Sequence, residues 1–283
     1  MKSNQIEVTQ KRIEKQPHVH TAAWNSVLKA RMKGRPTTLD YISQIFENFI
    51  EFHGDRNYRD DEAIVAGMAM LGDMPITVIG HQKGRDVHEN VKRNFGMPHP
   101  EGYRKALRLM KQAEKFNRPI LCFIDTPGAF CGLGAEERGQ GEAIARNLIE
   151  MAQLKVPVVS IIIGEGGSGG ALALGIANKV FMLENAIYSV LSPEGFASIL
   201  WKDSSRSAEA ATLMKITARD LIDFKIIDGL IPEIETDETE AIDLIQTAQA
   251  MKTLLLETFS ALMSLTSEEL INERASKYRN IGL

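Results

Sequence analysis

Apolar positions along the chain recur with two spacings, and each spacing predicts a different kind of element. Short runs rich in valine and isoleucine, which are typical of buried strands, occupy residues 63–71, 75–80, 119–124, 156–163, 179–183 and 186–190. Apolar residues three and four apart predict amphipathic helices at residues 37–54, 100–116, 135–155 and 208–224, with further helices near the C-terminus. Because strands alternate with helices, the pattern predicts an α/β fold.

A glycine-rich stretch at residues 164–170 stands out from this alternation. It follows the apolar run at 156–163 and precedes residues 171–177, which are small and apolar enough for a buried helix. Glycine lets the backbone approach a ligand closely, and the first N–H groups of a helix favour negative charge. The stretch therefore predicts a backbone site for an anion.

Composition narrows the class of protein. The chain has 283 residues and a net charge of −4. No apolar run approaches the ~20 residues of a membrane span, and the polar N-terminus lacks the apolar core of a signal peptide. Two cysteines without paired spacing, Cys122 and Cys131, indicate a reducing, cytoplasmic setting and cannot form a structural zinc site alone. We expect one domain, with an N-terminal arm over 1–36, a core over 37–235 and C-terminal helices over 236–283.

Positive charge is concentrated between residues 81 and 118. This segment has ten lysines and arginines against four acids. Two interpretations stay open: a solvated protein face, or a surface for a phosphorylated ligand, an acidic partner or a nucleic acid.

Three known motifs overlap the glycine-rich regions, and each needs a sequence context. Gly164, Gly166 and Gly169 fit G-x-G-x-x-G, with Glu184 where a dinucleotide fold places its ribose-binding acid, but a lone match is weak. Ser168 fits the G-x-S-x-G nucleophile turn, yet all six histidines precede residue 100, which excludes the usual triad order. Residues 125–128 fit D-x-x-G of GTPases, but no phosphate-binding G-x-x-x-x-G-K-[ST] run exists.

Two glycine-rich loops remain, at residues 126–134 and 164–170. Both leave apolar strands and enter helices, so their backbone N–H groups can meet at one edge of a sheet. Such donors stabilise an oxyanion by roughly 2.7–4 kcal/mol each, which suits acyl, enolate or carboxyl chemistry. The alternative is that these glycines only permit tight turns.

Several longer runs resemble one known family. They are 81–85 (HQKGR), 93–98 (RNFGMP), 100–106 (PEGYRKA), 125–129 (DTPGA), 134–140 (GAEERGQ), 164–170 (GEGGSGG) and 192–195 (SPEG). Together they resemble the alpha subunits of the carboxyltransferase component of bacterial acetyl-coenzyme A carboxylase, from about Trp24 to the C-terminus. Cys131 stands where the family pattern has proline. The resemblance implies a crotonase-like (ClpP/crotonase) fold, a superhelix of strand-strand-helix units.

The resemblance also implies a reaction and its partners. The carboxyl group of carboxybiotin, on a biotin carboxyl carrier protein, would pass to acetyl-CoA and give malonyl-CoA for fatty-acid biosynthesis. A zinc-ribbon beta subunit would complete an α2β2 heterotetramer, and a separate biotin carboxylase would use ATP. We expect no metal or cofactor on this chain. The expected oxyanion donors are the N–H groups of Gly132, Leu133, Gly166 and Gly167, with Gly134, Gly169 and Gly170 beside the biotin.

One rival enzyme remains open at this point. A stand-alone crotonase-like hydratase or hydrolase of acyl-CoA would need a catalytic acid near the glycine loops. Glu136, Glu137 and Glu165 are the local candidates.

Overall fold

The computed structural model describes residues 21–234 and 242–282. The first part of the expected N-terminal arm, residues 1–20, lies outside the described residues. In the described chain both cysteines are free, and no helix is long and apolar enough to cross a bilayer.

One mixed sheet organises the fold. Its strands are β1 (Glu47–Glu51), β2 (Ile64–Leu71), β3 (Met74–His81), β4 (Ile120–Thr126), β5 (Val158–Gly167), β6 (Lys179–Leu183), β7 (Ile187–Ser189) and β8 (Gly229–Ile231). The spatial order is β1-β2-β3-β4-β5-β6-β8, and β7 pairs with the end of β5. Strands β1 to β3 are antiparallel neighbours, whereas β3, β4, β5 and β6 run parallel. The carboxyl ends of β3 to β6 therefore share one edge.

Helices surround the sheet and connect its parallel strands. They are α1 (Ala22–Ala30), α2 (Thr38–Ile45), α3 (Val87–Lys92), α4 (Pro100–Lys115), α5 (Leu133–Glu137), α6 (Gln140–Gln153), α7 (Ser168–Leu172), α8 (Pro193–Trp201), α9 (Ser207–Met214), α10 (Ala218–Asp223), α11 (Leu244–Met263) and α12 (Ser267–Arg279). All seven residues of β4 are buried, as are nine of the ten residues of β5. Continuous apolar runs are typical of parallel strands covered on both faces.

In the sequence, Gly72-Asp73 between two apolar runs predicts a hairpin, and Thr37 and Ser192 predict helix caps. The local structure confirms all three. Leu71 pairs with Met74, so Gly72-Asp73 forms the expected two-residue hairpin turn. Thr37 and Asp40 form a capping box at the start of α2, and the Ser192 hydroxyl caps α8. Such caps satisfy N–H groups that have no partner inside the helix.

Four predicted boundaries are wrong, and the backbone shows why. The helix expected over 37–54 ends at Ile45, and the aromatic and β-branched residues after it form the edge strand β1. The helix expected over 135–155 is broken at Gly139, with φ of 83°, and the helix over 208–224 at Lys215, with φ of 54°. Strand β5 continues to Gly167 rather than ending near residue 163.

The segment expected to be an arm packs on the core through α1. Val27 is fully buried, and it clusters with Ile187 of β7 and with Ala211 and Ile216. Helix α1 therefore brings the residues after it, including Arg31, to the end of β5.

The C-terminal helix α12 is attached through a buried arginine. The Arg274 side chain is fully buried, and its guanidinium donates to the carbonyls of Met151, Leu154 and Val156 and to Asn178 Oδ1. No carboxylate of the described residues lies within ion-pair distance of it, and burial lowers the pKa of Arg274 to about 10. The guanidinium thus provides the hydrogen-bond donors for the end of α6 and the start of β5.

We expect Arg274→Met to destabilise the chain strongly. The substitution leaves several buried carbonyls without donors, and each buried unsatisfied group costs about 1–3 kcal/mol. The free energy of unfolding in urea should fall by on the order of 3 kcal/mol or more.

Arg279→Met is the matched control, because Arg279 is exposed on the same helix. It should change stability by less than about 0.5 kcal/mol. Equal effects of the two substitutions would contradict the role given to Arg274.

Candidate functional site

The two glycine-rich loops lie side by side at the carboxyl edge of the sheet. Strands β4 and β5 are parallel neighbours, and Thr126 is opposite Gly166 in their register. The sheet therefore delivers both loops to one place, as the sequence predicted from their positions after buried strands.

Backbone atoms of the two loops touch, and glycine is what permits the contact. A Cβ on Gly167 would lie 2.2 Å from the carbonyl oxygen of Pro127. A Cβ on Gly170 would lie 2.5 Å from the nitrogen of Ala129 and 2.7 Å from the carbonyl carbon of Gly128. Real Cβ atoms do not approach this closely, so any side chain at Gly167 or Gly170 would push the loops apart.

The expected donors of the first loop lie farther along it. Gly132 is the N-cap of the short helix α5 and packs against Phe130, and Leu133 begins that helix with 77% of its surface exposed. Gly134 is half-buried near the Arg138 side chain. The contacts with the second loop come from Pro127, Gly128 and Ala129 instead.

The expected donors of the second loop divide between strand and helix. Gly166 is buried and has Thr126 of β4 on one side and Tyr188 of β7 on the other. Gly167 ends the strand and caps α7, whose first turn contains Gly169 and Gly170. The first N–H groups of a helix have no partner inside it, but α7 has only five residues, so its dipole is small.

Ser168 adopts an unusual backbone conformation between these glycines. Its φ is 55°, in the left-handed region, and its side chain is exposed. A non-glycine residue there costs of order 1–3 kcal/mol and persists where its surroundings enforce it. The strained residue lies at the junction between strand β5 and helix α7.

Charged side chains lie immediately beneath the loops. Asp125 of β4 and Glu165 of β5 are both buried, and Lys83 contacts the two carboxylates at 2.7 Å and 3.0 Å. Arg31 Nε binds Glu165 at 2.7 Å, and Arg31 Nη1 binds Glu194 at 2.7 Å. Burial raises the pKa of Glu165, but Lys83 and Arg31 outweigh it and hold that pKa below its usual value.

Two cavities meet at this ion-pair group. One of about 30 Å³ is lined by Gly166, Gly167 and Ser189. The other, of about 690 Å³, is lined by Lys33, Arg85 and Phe95 among others. Arg31, Pro127 and Glu165 line both. The small cavity has room for about one water molecule, so the described chain does not by itself enclose a ligand at Gly167.

The structure argues against the three carboxylates that were expected as catalytic acids. Glu165 is held as a carboxylate by two cations, whereas Glu136 and Glu137 are exposed on α5. A hydratase or hydrolase acid must be able to hold a proton near the operating pH. The stand-alone hydratase hypothesis thus loses its best candidate.

The basic segment at 81–118 is largely neutralised within the chain. Seven of its ten cations form ion pairs with described carboxylates: Lys83, Arg85, Lys92, Arg93, Arg104, Lys105 and Lys111. Arg108 donates to the backbone carbonyls of Gly54 and His53. These contacts favour the interpretation of a structural, solvated face over a phosphate-binding surface.

Sequence reasoning missed the roles of Arg31, Lys83 and Asp125. Lys83 and Asp125 lie in two of the runs that carry the family resemblance, which was the available signal. Arg31 lies in the segment that was assigned to the arm. Because Arg31 and Glu165 are 134 positions apart, no local sequence pattern indicates that they form an ion pair.

Comparisons with known proteins agree with the resemblance. The profile of the family described as "Acetyl co-enzyme A carboxylase carboxyltransferase-like" matches residues 1–282. A Clostridium perfringens protein named acetyl-coenzyme A carboxylase carboxyl transferase subunit alpha is 63% identical over 259 residues, covering 92% of this chain and 95% of that protein. A Clostridium tetani protein named acetyl-coenzyme A carboxylase carboxyl transferase subunits beta/alpha is 59% identical over 260 residues. The match covers 92% of this chain and 45% of that protein.

Among solved structures, a transcarboxylase 12S with bound methylmalonyl-coenzyme A has a TM-score of 0.62. The match has 19% identity and covers 79% of this chain and 41% of that one. At this identity the likeness concerns the fold alone, which is α/β and crotonase-like, as expected.

We expect Gly167→Ala to destabilise the chain by about 1–3 kcal/mol, the usual cost of forcing atoms into a packed site. The reason is the 2.2 Å approach of its Cβ to Pro127. Urea unfolding measures the change.

Gly141→Ala provides the control, because no atom lies within 4 Å of a Cβ there and Gly141 is inside α6. It should stabilise the chain by about 0.5–1 kcal/mol. A Gly167→Ala variant as stable as the wild type would mean that the loops are not in contact.

Proposed function

The chain belongs to the family of acetyl-coenzyme A carboxylase carboxyltransferase alpha subunits, and on this premise we propose that it supplies half of a carboxyl-transfer site. The reaction moves the carboxyl group of carboxybiotin, borne by a biotin carboxyl carrier protein, to acetyl-CoA and gives malonyl-CoA. We propose a single carboxyltransferase domain that works in the cytoplasm, in keeping with its free cysteines.

The observation that carries this proposal is the backbone contact between the two loops. Pro127 to Ala129 and Gly167 to Gly170 face one another without side chains between them. Carboxyl transfer places negative charge on a carbonyl oxygen. Preorganised N–H donors at such an oxygen contribute roughly 2.7–4 kcal/mol each to transition-state stabilisation.

We assign the donor role in the second loop to Gly167 and the N–H groups of the first turn of α7, beside Gly169 and Gly170. Gly166 holds the strand end in register between Thr126 and Tyr188. In the first loop, Gly132, Leu133 and Gly134 start α5 and form the outer part of the proposed biotin site. Among the described residues this requires no nucleophilic side chain and no metal from this chain.

The small volume at Gly167 supports a partner that completes the site. The cavity lined by Gly166 and Gly167 has only about 30 Å³, whereas small-molecule sites have about 300–1,000 Å³. The adjoining cavity of about 690 Å³ reaches Pro127 and Glu165 but is not lined by Gly166 or Gly167. We propose that a zinc-bearing beta subunit supplies the opposite wall and most of the acetyl-CoA site in an α2β2 assembly. ATP is then used by a separate biotin carboxylase. One relative is named as both beta and alpha subunits, in keeping with such a partner.

Exposed apolar residues at the start of α5, after β7 and on α8 fit the same partner. Leu133 is 77% exposed and Val190 73%, and Ile199 and Leu200 of α8 are also exposed. Large apolar side chains grouped on a surface mark contact sites. We propose that the beta subunit covers Leu133, Val190 and this face of α8.

Mixing the chain with its beta subunit should give malonyl-CoA from acetyl-CoA and carboxybiotin, because each chain alone lacks part of the enclosure. Release of malonyl-CoA, measured by mass spectrometry, checks this. The purified chain alone should not hydrate or hydrolyse acyl-CoA substrates. An inert mixture of two folded subunits would reject the proposed function.

Within that mixture, we expect Gly167→Val to reduce turnover at least about a hundredfold, because its side chain pushes the loops apart and displaces their N–H groups. Loss of one oxyanion donor typically costs about a hundredfold or more. Gly141→Ala should keep wild-type turnover. Circular dichroism establishes that both variants are folded. Wild-type turnover by a folded Gly167→Val variant would remove that loop from the site.

A further inference from the structure

Two carboxylates lie next to each other where the loops begin. Asp125 is one residue from the end of β4 and Glu165 two residues from the end of β5, and their side chains are only 6% and 11% exposed. Adjacent buried carboxylates disfavour each other's ionisation unless a cation lies between them. Both carboxylates therefore lie at the strand ends from which the two glycine loops leave.

Lys83 is the cation between them. It follows β3, the neighbour of β4, and its Nζ lies 2.7 Å from Asp125 Oδ1 and 3.0 Å from Glu165 Oε1. The same Oδ1 atom accepts the N–H of Glu165 at 2.9 Å. Gly164 makes room for this arrangement, since a Cβ there would lie 2.3 Å from Oδ1. We call these three side chains the Lys83 bridge.

A strained turn holds the lysine stem in place. Asn94, Phe95 and Gly96 have φ values of 48°, 55° and 74°, three successive residues in the left-handed region. A Cβ on Gly96 would lie 2.7 Å from Lys83 Cγ and 3.2 Å from the carbonyl oxygen of Asp125. Strain of this kind persists where the surroundings require one particular backbone path.

We propose that Lys83 is a positioning residue for the carboxyl-transfer site, acting by holding Asp125 and Glu165 together so that the two glycine loops stay in contact. This inference rests on the proposed function for its catalytic consequence, but not for its structural one. Lys83 acts through the loops and does not itself contact the transferred group.

The charges around the bridge support this role. Burial lowers the pKa of Lys83, but Asp125 and Glu165 outweigh it and raise that pKa, so the lysine stays charged. Other charged or titratable groups near it are Arg31, Glu194, His81, Tyr41, the Arg35–Glu233 pair, the Arg85–Asp40 pair and Lys33. Among the described cations, Lys83 is the one that contacts both carboxylates.

The first test is structural and uses amide hydrogen exchange read by mass spectrometry. In Lys83→Met, exchange should become faster at 126–134 and at 164–172, because both strand ends lose their common counter-ion. Lys111→Met is the matched control: Lys111 also bridges two carboxylates, Glu114 and Glu150, but on the surface between α4 and α6. It should leave both segments unchanged.

The second test measures turnover with the beta subunit as a function of pH. In Lys83→Met, kcat near neutral pH should fall by roughly 10- to 100-fold, since about 1 Å of misplacement can cost a hundredfold. Glu165 then loses one of the two cations that hold its pKa low, so the pKa of Glu165 rises. Once one of the two side chains is protonated, Asp125 and Glu165 no longer repel each other. Activity should therefore partly recover as the pH falls from about 8 to about 6.

A second substitution separates charge pairing from simple packing. Lys83→Met combined with Asp125→Asn removes the repulsion while the Asn oxygen can still accept the Glu165 N–H. The double variant should be more active than Lys83→Met alone, and its activity should no longer rise as the pH is lowered. Lys83→Arg should retain much of the wild-type rate.

The outcomes are distinct. Wild-type hydrogen exchange and wild-type turnover in Lys83→Met would overturn the proposal. It would also be overturned if the double variant had the same turnover and the same pH profile as Lys83→Met alone. If the wild-type pair makes no malonyl-CoA but Lys83→Met still loosens both segments, the proposed function fails and the Lys83 bridge stands.

Discussion

The site depends on one constraint: two backbone segments must touch without side chains between them. Gly167 and Gly170 allow the loop after β5 to lie against Pro127, Gly128 and Ala129 of the loop after β4. Parallel pairing of β4 and β5 brings the two segments to one edge of the sheet, but pairing alone does not fix the distance between them. Buried charge beneath the loops supplies that second restraint, through Lys83, Asp125 and Glu165.

Much of the fold follows from local sequence patterns. The hairpin at Gly72-Asp73, the caps at Thr37 and Ser192 and the buried strands β4 and β5 each have a short-range signal that the structure bears out. Breaks inside predicted helices were missed because left-handed residues at Gly139 and Lys215 leave the apolar spacing on either side intact. Strand β1 was missed because its apolar residues also fit a helical spacing.

The candidate site was predictable only in part. Glycine-rich loops after two apolar strands were visible in the sequence, and so was the anion chemistry they suit. The sequence did not reveal which residues of the first loop contact the second loop. These are Pro127 to Ala129 rather than Gly132 and Leu133. Nor could the sequence pair Arg31 with Glu165, because an ion pair between distant residues depends on the assembled sheet rather than on local spacing.

The separation of these partners along the chain has a consequence for how the protein reaches its active form. Arg31 and Glu194 are 163 positions apart, and Arg31 and Glu165 are 134 apart. Closing a segment of this length has an entropic cost, and folds that depend on contacts between distant residues form more slowly. A nascent chain that has emerged as far as α7 holds both glycine loops but lacks Glu194, so the ion-pair group is complete only once Glu194 of α8 has been synthesised. Assembly of the site is therefore coupled to the segment from Arg31 to Glu194 rather than to one local unit.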